Sequence, residues 1–272
     1  MEGIKVFIRV RPLSIDNESS YDRNNESSVT RVSNCHKEIS INATSRQVRC
    51  RYDHVFGPSS TQEEVYTYVQ SSVNAVLKGI NSTIFAYGQT SSGKTHTMFG
   101  RESCIFNQPG IVPRCIHDIF QFASGSQIRS FSVYVSFIQV YNEQIYDMLD
   151  DPKRTKPLGI HETPHLSNIR ISGLTEYQVH SYEQCLSIVE LGLNNRAIRE
   201  TNKNYASSRS HSILQITIEQ SRMNEIKGTS ISINSKLNLV DLAGSERWMA
   251  YGARGKGMGG DQISELTNIN SR

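Results

Sequence analysis

Residues 88 to 95 read Gly88-Gln89-Thr90-Ser91-Ser92-Gly93-Lys94-Thr95, a full match to G-x-x-x-x-G-K-[ST]. The chemistry open to such a stretch is the binding of a nucleoside polyphosphate. Its glycines let the backbone curl, so that successive N–H groups point into one anion-binding hollow. A helix opening at the end of the loop adds its positive N-terminal end. Lys94 can reach the β- and γ-phosphates, and the Thr95 hydroxyl can ligate Mg²⁺. Average residue frequencies put a chance match in a chain of 272 residues at on the order of one in a hundred.

A phosphate loop needs a second part, a carboxylate that holds Mg²⁺ through water. Ile231, Ile233, Leu237 and Leu239 alternate up to Asp241 and mark a strand that ends on such a group. Alone this is weak, because many strands of α/β proteins end near an aspartate. Here the chain continues Asp241-Leu242-Ala243-Gly244-Ser245-Glu246-Arg247. Upstream it reads Asn204-Tyr205-Ala206-Ser207-Ser208-Arg209-Ser210-His211. Together with Arg9-Val10-Arg11-Pro12, Ile84-Phe85-Ala86-Tyr87, His96-Thr97-Met98, Gly110-Ile111-Val112-Pro113-Arg114 and Tyr141-Asn142-Glu143, these motifs resemble the kinesin motor domain. They stand in family order and cover nearly the whole chain.

The resemblance implies a Mg²⁺-dependent ATPase that works on microtubules, placed on the cytoplasmic cytoskeleton. It implies that Arg9, Arg11, Pro12 and His96 border the adenine and ribose, and that residues 88–95 cradle the phosphates. Thr95, Ser208 and Asp241 would serve Mg²⁺. Ser207 would meet the γ-phosphate or the attacking water, and the Gly244 N–H would sense the γ-phosphate. Arg209 and Glu246 would pair across two switch segments. Phosphoryl transfer asks mainly for positioning and charge stabilisation. Loss of the γ-phosphate would then release the switches. Taken singly, Arg209 and Glu246 read as surface charges, His96 as an ordinary helix-start residue, and Tyr141-Asn142-Glu143 as structural. The stretch from Ser136 to Asp147 is similar to motors that act on spindles.

Two departures from the family pattern stand out. Arg254-Gly255-Lys256-Gly257-Met258-Gly259-Gly260 resembles a glycine-rich insertion before a helix expected to bear Ile263, Leu266 and Ile269. Added glycines raise the entropy lost on ordering, which would weaken coupling between filament binding and hydrolysis. Secondly, the chain stops at Arg272, just past Asn268-Ile269-Asn270, where kinesin motors carry further elements. The expectation is an incomplete motor without processive motility. The alternative is a kinesin-like protein that binds nucleotide or tubulin without a working cycle. A GTP-using switch protein is disfavoured, since no N-K-x-D motif occurs. Lys153, Arg154, Lys156, Arg170, Arg254 and Lys256 are candidates to face an acidic filament, or simply solvated charges. No aromatic-plus-basic stripe points to nucleic acid.

The elements that must position these residues are legible in outline. Lys5 to Val10 is β-rich and stops at Pro12; residues 13–50 read as loops with small edge strands; Tyr52 to Phe56 reads as a strand. Thr61 and Glu64 form a capping-box pattern ahead of Val65, Val69, Val73, Val76 and Leu77 at helical spacing, with Gly79 at the C-terminal cap. Ser82 to Tyr87 is a short buried-type strand leading into the phosphate loop. Helices are expected over Arg114 to Phe122 and Tyr182 to Leu193. Alternation marks strands at Phe131 to Phe137 and Leu214 to Ile218. Interleaved strands and helices argue for an α/β fold with helices on both faces; with the resemblance, that becomes a P-loop NTPase of kinesin type around a central mixed sheet, lacking its C-terminal part. One domain over residues 1–272 is expected. Hydrophobic residues make up 37% and charged residues 20%, with a net charge of +3, a balance able to bury a core but not one that demands a polyanionic partner. No run approaches the ~18 apolar residues of a membrane span, and no signal leader is seen. Five scattered cysteines fit reduced thiols in the cytosol.

Overall fold

Alternating segments become strands, and segments with three-and-four spacing become helices, in a computed structural model of the chain. It describes residues 3–12, 30–43, 46–100, 108–124, 130–153, 156–163, 168–203, 209–224 and 229–246. They fall into two compact units, Met1–Val65 and Tyr66–Arg272.

In the first unit, β1 (Phe7–Arg9) pairs in parallel with β5 (His54–Phe56), while β2 (Thr30–Val32), β3 (Glu38–Ala43) and β4 (Arg46–Arg51) form an antiparallel three-stranded sheet. The region expected to be loops and small edge strands is thus more regular than its composition suggests. One face carries Val32, Ile39 and Cys50, and the other carries Arg31, Ser40 and Arg49 in register. Polar residues on the outer face mask the period of two. The helix α1 (Gln62–Leu77) opens on the expected capping box: the Thr61 N–H donates to Glu64 Oε2 at 2.8 Å, and the Glu64 N–H donates to Thr61 Oγ1 at 3.1 Å. It closes in a Schellman pattern, in which the Gly79 N–H reaches the Val76 carbonyl and the Ile80 N–H the Ala75 carbonyl.

The second unit continues with β6 (Ser82–Ala86), α2 (Lys94–Phe99), α3 (Ile111–Ala123), β7 (Ser130–Tyr141), β8 (Gln144–Asp147), β9 (Ile160–Thr163), β10 (Asn168–Ile171), β11 (Tyr177–Val179), α4 (Tyr182–Lys203), β12 (His211–Asn224) and β13 (Thr229–Asp241). Its main sheet runs β11-β7-β12-β13-β6, with β8 also on β7. Only β6 and β13 pair in parallel; the other pairs are antiparallel, so the sheet is mixed. Asn142 and Glu143, both at positive φ (46° and 62°), make the two-residue turn from β7 to β8. Tyr141-Asn142-Glu143 is therefore a hairpin corner.

Register builds the core in rungs. Val135, Ile216 and Leu237 line up across three strands, and Phe137, Leu214, Leu239 and Ile84 across four. Val135, Phe137, Leu214, Ile216, Leu237 and Leu239 are completely buried, each contributing about 1.5–3 kcal/mol. The next rung is Gln139, Ser212, Asp241 and Ala86, and there the core turns polar. Helices cover this face. Gly192 of α4 lies against Phe137, the Phe99 ring of α2 stands 6.0 Å from Phe137, and Phe122 of α3 stands 6.3 Å from Phe131. The last carbonyls of α1 accept from Ser235 Oγ and Gln220 Nε2. On the other face Phe85 is 56% exposed; the helix expected to bear Ile263, Leu266 and Ile269 lies outside the described residues. No described helix is long and apolar enough to cross a membrane.

Two helices differ from expectation in extent. α3 starts at Ile111 rather than Arg114, because Pro113 is tolerated in a first turn and Ile111 and Val112 are buried. α4 runs to Lys203 rather than Leu193, because its polar second half is buried too: Asn195, Arg196 and Arg199 are all within 7% exposure.

Candidate nucleotide site

The site grows from the parallel pair β6 and β13. Their last residues, Ala86 and Asp241, are register partners, so the loop leaving β6 and the carboxylate ending β13 emerge side by side. The loop then curls through Ser91 (φ 62°) and Gly93 (φ 99°) into α2. A side chain at Gly93 would be strained at that φ. The Ser92 N–H closes a turn on the Gln89 carbonyl at 3.1 Å. α2 has only six residues, so anion binding here leans on Lys94 and the loop N–H groups more than on a helix dipole.

Lys94 Nζ donates to the carbonyls of Gly88 and Gln89, each at 2.9 Å. Burial pulls its pKa down, while the carboxylates of Asp241 and Glu246 push it back up. Thr95 Oγ1 donates to Asp241 Oδ2 at 2.7 Å. The same oxygen accepts from Arg196 Nη1 at 3.0 Å, and Arg196 Nη1 also reaches Ser212 Oγ at 3.1 Å. Asp241 Oδ1 is buried with no hydrogen-bond partner among the described residues. A hydroxyl and a carboxylate oxygen awaiting a partner, side by side, are a donor set for a hard divalent cation, and so these residues fit Mg²⁺.

Beyond β13 the chain stays on the loop. The Leu242 N–H donates to the Ala86 carbonyl at 3.3 Å and the Ser245 N–H to the Gly88 carbonyl at 3.1 Å. Glu246 docks both carboxylate oxygens on Thr90: Oε2 accepts from the Thr90 N–H at 2.8 Å, and Oε1 pairs with Thr90 Oγ1. Its slight burial would raise the carboxyl pKa, but the bonds from Thr90, helped by Lys94, hold it below its ordinary value. His211, at the start of β12, accepts from the Ala243 N–H through Nδ1 at 3.1 Å, which leaves its proton on Nε2. Ser210 is fully buried and accepts from Gln139 Nε2 at 2.9 Å.

Of the residues named from the sequence, Gly88, Gln89, Thr90, Ser91, Ser92, Gly93, Lys94, Thr95, Asp241, Gly244 and Glu246 form one connected cluster. His96 follows on α2 and is exposed. Arg9, Arg11 and Pro12 belong to the unit Met1–Val65, where Arg9 Nη1 donates to Gln62 Oε1 at 2.8 Å. Ser207 and Ser208 lie outside the described residues, as do Arg154, Arg254 and Lys256. Arg209 is half-buried ahead of Ser210; the partner seen for Glu246 is Thr90. Sequence reasoning missed Arg196. Its only signal was a polar patch continuing α4 past its apolar stripe.

A sequence model of the kinesin motor domain matches residues 9–272. Kinesin-like protein KIN-7L of Oryza sativa subsp. japonica is 40% identical over 281 residues, covering 99% of this chain and 41% of the relative. The kinesin heavy chain of Caenorhabditis elegans is 39% identical, covering 98% of this chain and 30% of its own length. This chain thus spans well under half of these curated relatives. A solved structure of a fast kinesin, described with its ATPase mechanism and its interactions with microtubules, superposes with a TM-score of 0.81 at 33% identity, covering 98% of this chain and 71% of that one.

Proposed function

The chain belongs to the kinesin motor domain family, and on that premise we propose that it is an ATP-hydrolysing motor head that couples hydrolysis to binding of, and movement along, microtubules. The fold is that of a P-loop NTPase of kinesin type. The observation that carries the reading is the junction of Ala86 and Asp241 in register, with the Thr95 hydroxyl 2.7 Å from Asp241 Oδ2. We propose residues 1–272 as one motor domain; the family match runs through both compact units.

In this reading the N–H groups of the loop and Lys94 bind the phosphates, and Arg9, Arg11, Pro12 and His96 border the base and ribose. Thr95, Asp241 and Ser208 would hold Mg²⁺, which when bound would supply positive charge against the phosphates. Arg196 keeps the Asp241 carboxylate oriented through its bond to Oδ2. The Gly244 N–H meets the γ-phosphate; a Cβ there would lie 2.6 Å from Thr90 Oγ1, so only glycine allows so close a passage. Ser207 meets the γ-phosphate or the attacking water, and Arg209 with Glu246 closes the site. The filament partner is a microtubule, faced by basic residues such as Lys153, Lys156 and Arg170, which places the protein on the microtubule cytoskeleton, the spindle included.

The test is a pair of variants. Lys94→Ala is expected to lose ATP binding, and Glu246→Ala to bind ATP yet fail to hydrolyse it, with co-sedimentation on microtubules measured alongside. Unchanged turnover in both variants refutes the site.

A further inference from the structure

The polar rung of the main sheet runs one strand further than Gln139. Tyr146 of β8 is the register partner of Gln139, so its side chain shares the face that carries Ser212 and Asp241. Two buried arginines of α4, one turn apart, come down on this rung. Arg196 Nη1 reaches Ser212 and Asp241, and the Arg199 guanidinium carbon stands 4.8 Å from the centre of the Tyr146 ring. Arg199 and Tyr146 are each 6% exposed, so cation and aromatic face meet away from water, where such a contact is strongest. Beside them, Gln139 Nε2 donates to Ser210 Oγ at 2.9 Å, and both of those residues are buried. Arg199 lies near the end of α4 at Lys203, and Ser210 lies just after Arg209. The chain that carries Ser207, Ser208 and Arg209 therefore leaves from, and returns to, one pair of residues.

We propose that Tyr146 and Gln139 are positioning residues for ATP hydrolysis: they are a single footing for both ends of the segment between α4 and β12, with Arg199 seated on one and Ser210 on the other. The proposal rests on the reading in which Ser208 helps to hold Mg²⁺ and Ser207 meets the γ-phosphate or the attacking water. Tyr146 and Gln139 touch no nucleotide in it; they act through the chain they anchor. The two arginines then divide the work of α4. Arg196 orients Asp241, while Arg199 fixes where the helix hands over to the segment bearing Ser208. An aromatic face suits this position better than a carboxylate would. A carboxylate here would put a second anion into the buried rung that already holds Asp241, whereas the Tyr146 ring receives the guanidinium without adding charge. The β7–β8 hairpin gains a use as well. Its corner at Asn142 and Glu143 sets the register that brings Tyr146 opposite Gln139.

The test uses the full chain. Turnover is measured against ATP and against free Mg²⁺, and a fluorescent diphosphate is titrated without Mg²⁺. Wild type is compared with Tyr146→Leu, Tyr146→Phe, Arg199→Met, the Tyr146→Leu/Arg199→Met double variant and Ser210→Ala, with rates referred to the folded fraction seen by circular dichroism. Tyr146→Leu and Arg199→Met are each expected to lower kcat about tenfold and to raise the half-saturating Mg²⁺ concentration, since small misplacements of positioned groups are costly in rate. Diphosphate affinity should not change, because the phosphate loop is intact. Tyr146→Phe loses the bond from the hydroxyl to Gln144 Oε1 but keeps the ring face, and should match wild type. The double variant should lose no more than the worse single one, because both remove the same contact. Ser210→Ala loosens the other half of the footing without opening a large cavity, so it should move kcat and Mg²⁺ dependence the same way; it carries the test if a substitution at Tyr146 or Arg199 does not fold. The proposal is overturned by a Tyr146→Phe variant as impaired as Tyr146→Leu, by single effects that simply multiply, or by unchanged kcat and Mg²⁺ dependence per folded molecule. Failure of wild type to bind the diphosphate or to hydrolyse ATP would instead overturn the reading of the site on which it rests.

Discussion

Arg196→Met isolates what the buried ion pair does. Arg196 and Asp241 have side chains only 6% and 1% exposed, with Nη1 and Oδ2 3.0 Å apart. An exposed pair at that distance would be worth at most about 1 kcal/mol. Removing one partner of a buried pair leaves an uncompensated charge and costs about 3–5 kcal/mol. In this chain the Asp241 carboxylate would keep only the Thr95 hydroxyl as a hydrogen-bond partner, since Oδ1 has no described partner, so the larger figure applies. For a chain of this size that loss lowers the melting point by about 10 °C. Urea and thermal unfolding followed by far-ultraviolet circular dichroism, without nucleotide, measure it directly. The companion variant Arg196→Met/Asp241→Leu removes both charges and should recover most of the loss, as apolar replacements of buried pairs usually do. A loss below about 1 kcal/mol for Arg196→Met refutes the reasoning, because the pair would then be behaving as a solvated one.

Three further outcomes are expected. Gly192→Ala should destabilise the fold by about 1 kcal/mol: the new Cβ would stand 2.2 Å from Phe137 Cδ1, and overpacking costs about 1–3 kcal/mol against a gain of about 1 kcal/mol in helix propensity. The same change in a Phe137→Leu background should cost less by urea unfolding. Thr61→Ala removes one arm of the capping box on α1 and should cost about 1 kcal/mol in the same assay, with Thr61→Ser near wild type. Tyr66→Phe should show a cost that depends on pH. Burial alone would raise the Asp118 pKa, but hydrogen bonds from Tyr66, Gln70 and His117 outweigh it and hold the folded value below the ordinary 3.8. A depressed carboxyl pKa stabilises the fold above its unfolded value and loses that contribution as pH falls toward the folded one. The Tyr66→Phe penalty should therefore be full at neutral pH and shrink below about pH 4; a penalty that grows on acidification would contradict this.

What a sequence can display depends on distance along the chain. The phosphate loop, the Thr61–Glu64 cap and the Gly79 stop are local, and each was legible because its chemistry is complete within a few residues. Asp241 was legible as a strand end followed by a motif. The pairing of β6 with β13, more than 150 positions apart, was not, because no local signal encodes which strands lie side by side. Arg196 hid for a different reason. Polar residues on a helix normally mark its wet face, whereas in the second half of α4 the polar side chains of Asn195, Arg196 and Arg199 are buried, and Arg196 meets the polar rung. Thr90 read as one more loop residue, since its partner Glu246 is named as an ally of Arg209 by the motif alone.

The rung on which Asp241 ends also makes the machinery a matter of counting. Side chains along β13 alternate between the helix-covered face and the other one, so Asp241 meets Thr95 and Arg196 only because its parity matches that of Leu237 and Leu239. A single residue inserted between Leu239 and Asp241 would carry the carboxylate to the wrong side of the sheet while leaving every motif intact. Two inserted residues would restore the side but move the carboxylate past Thr95. The last residues of β13 therefore tolerate no change in length, however conservative the residues added.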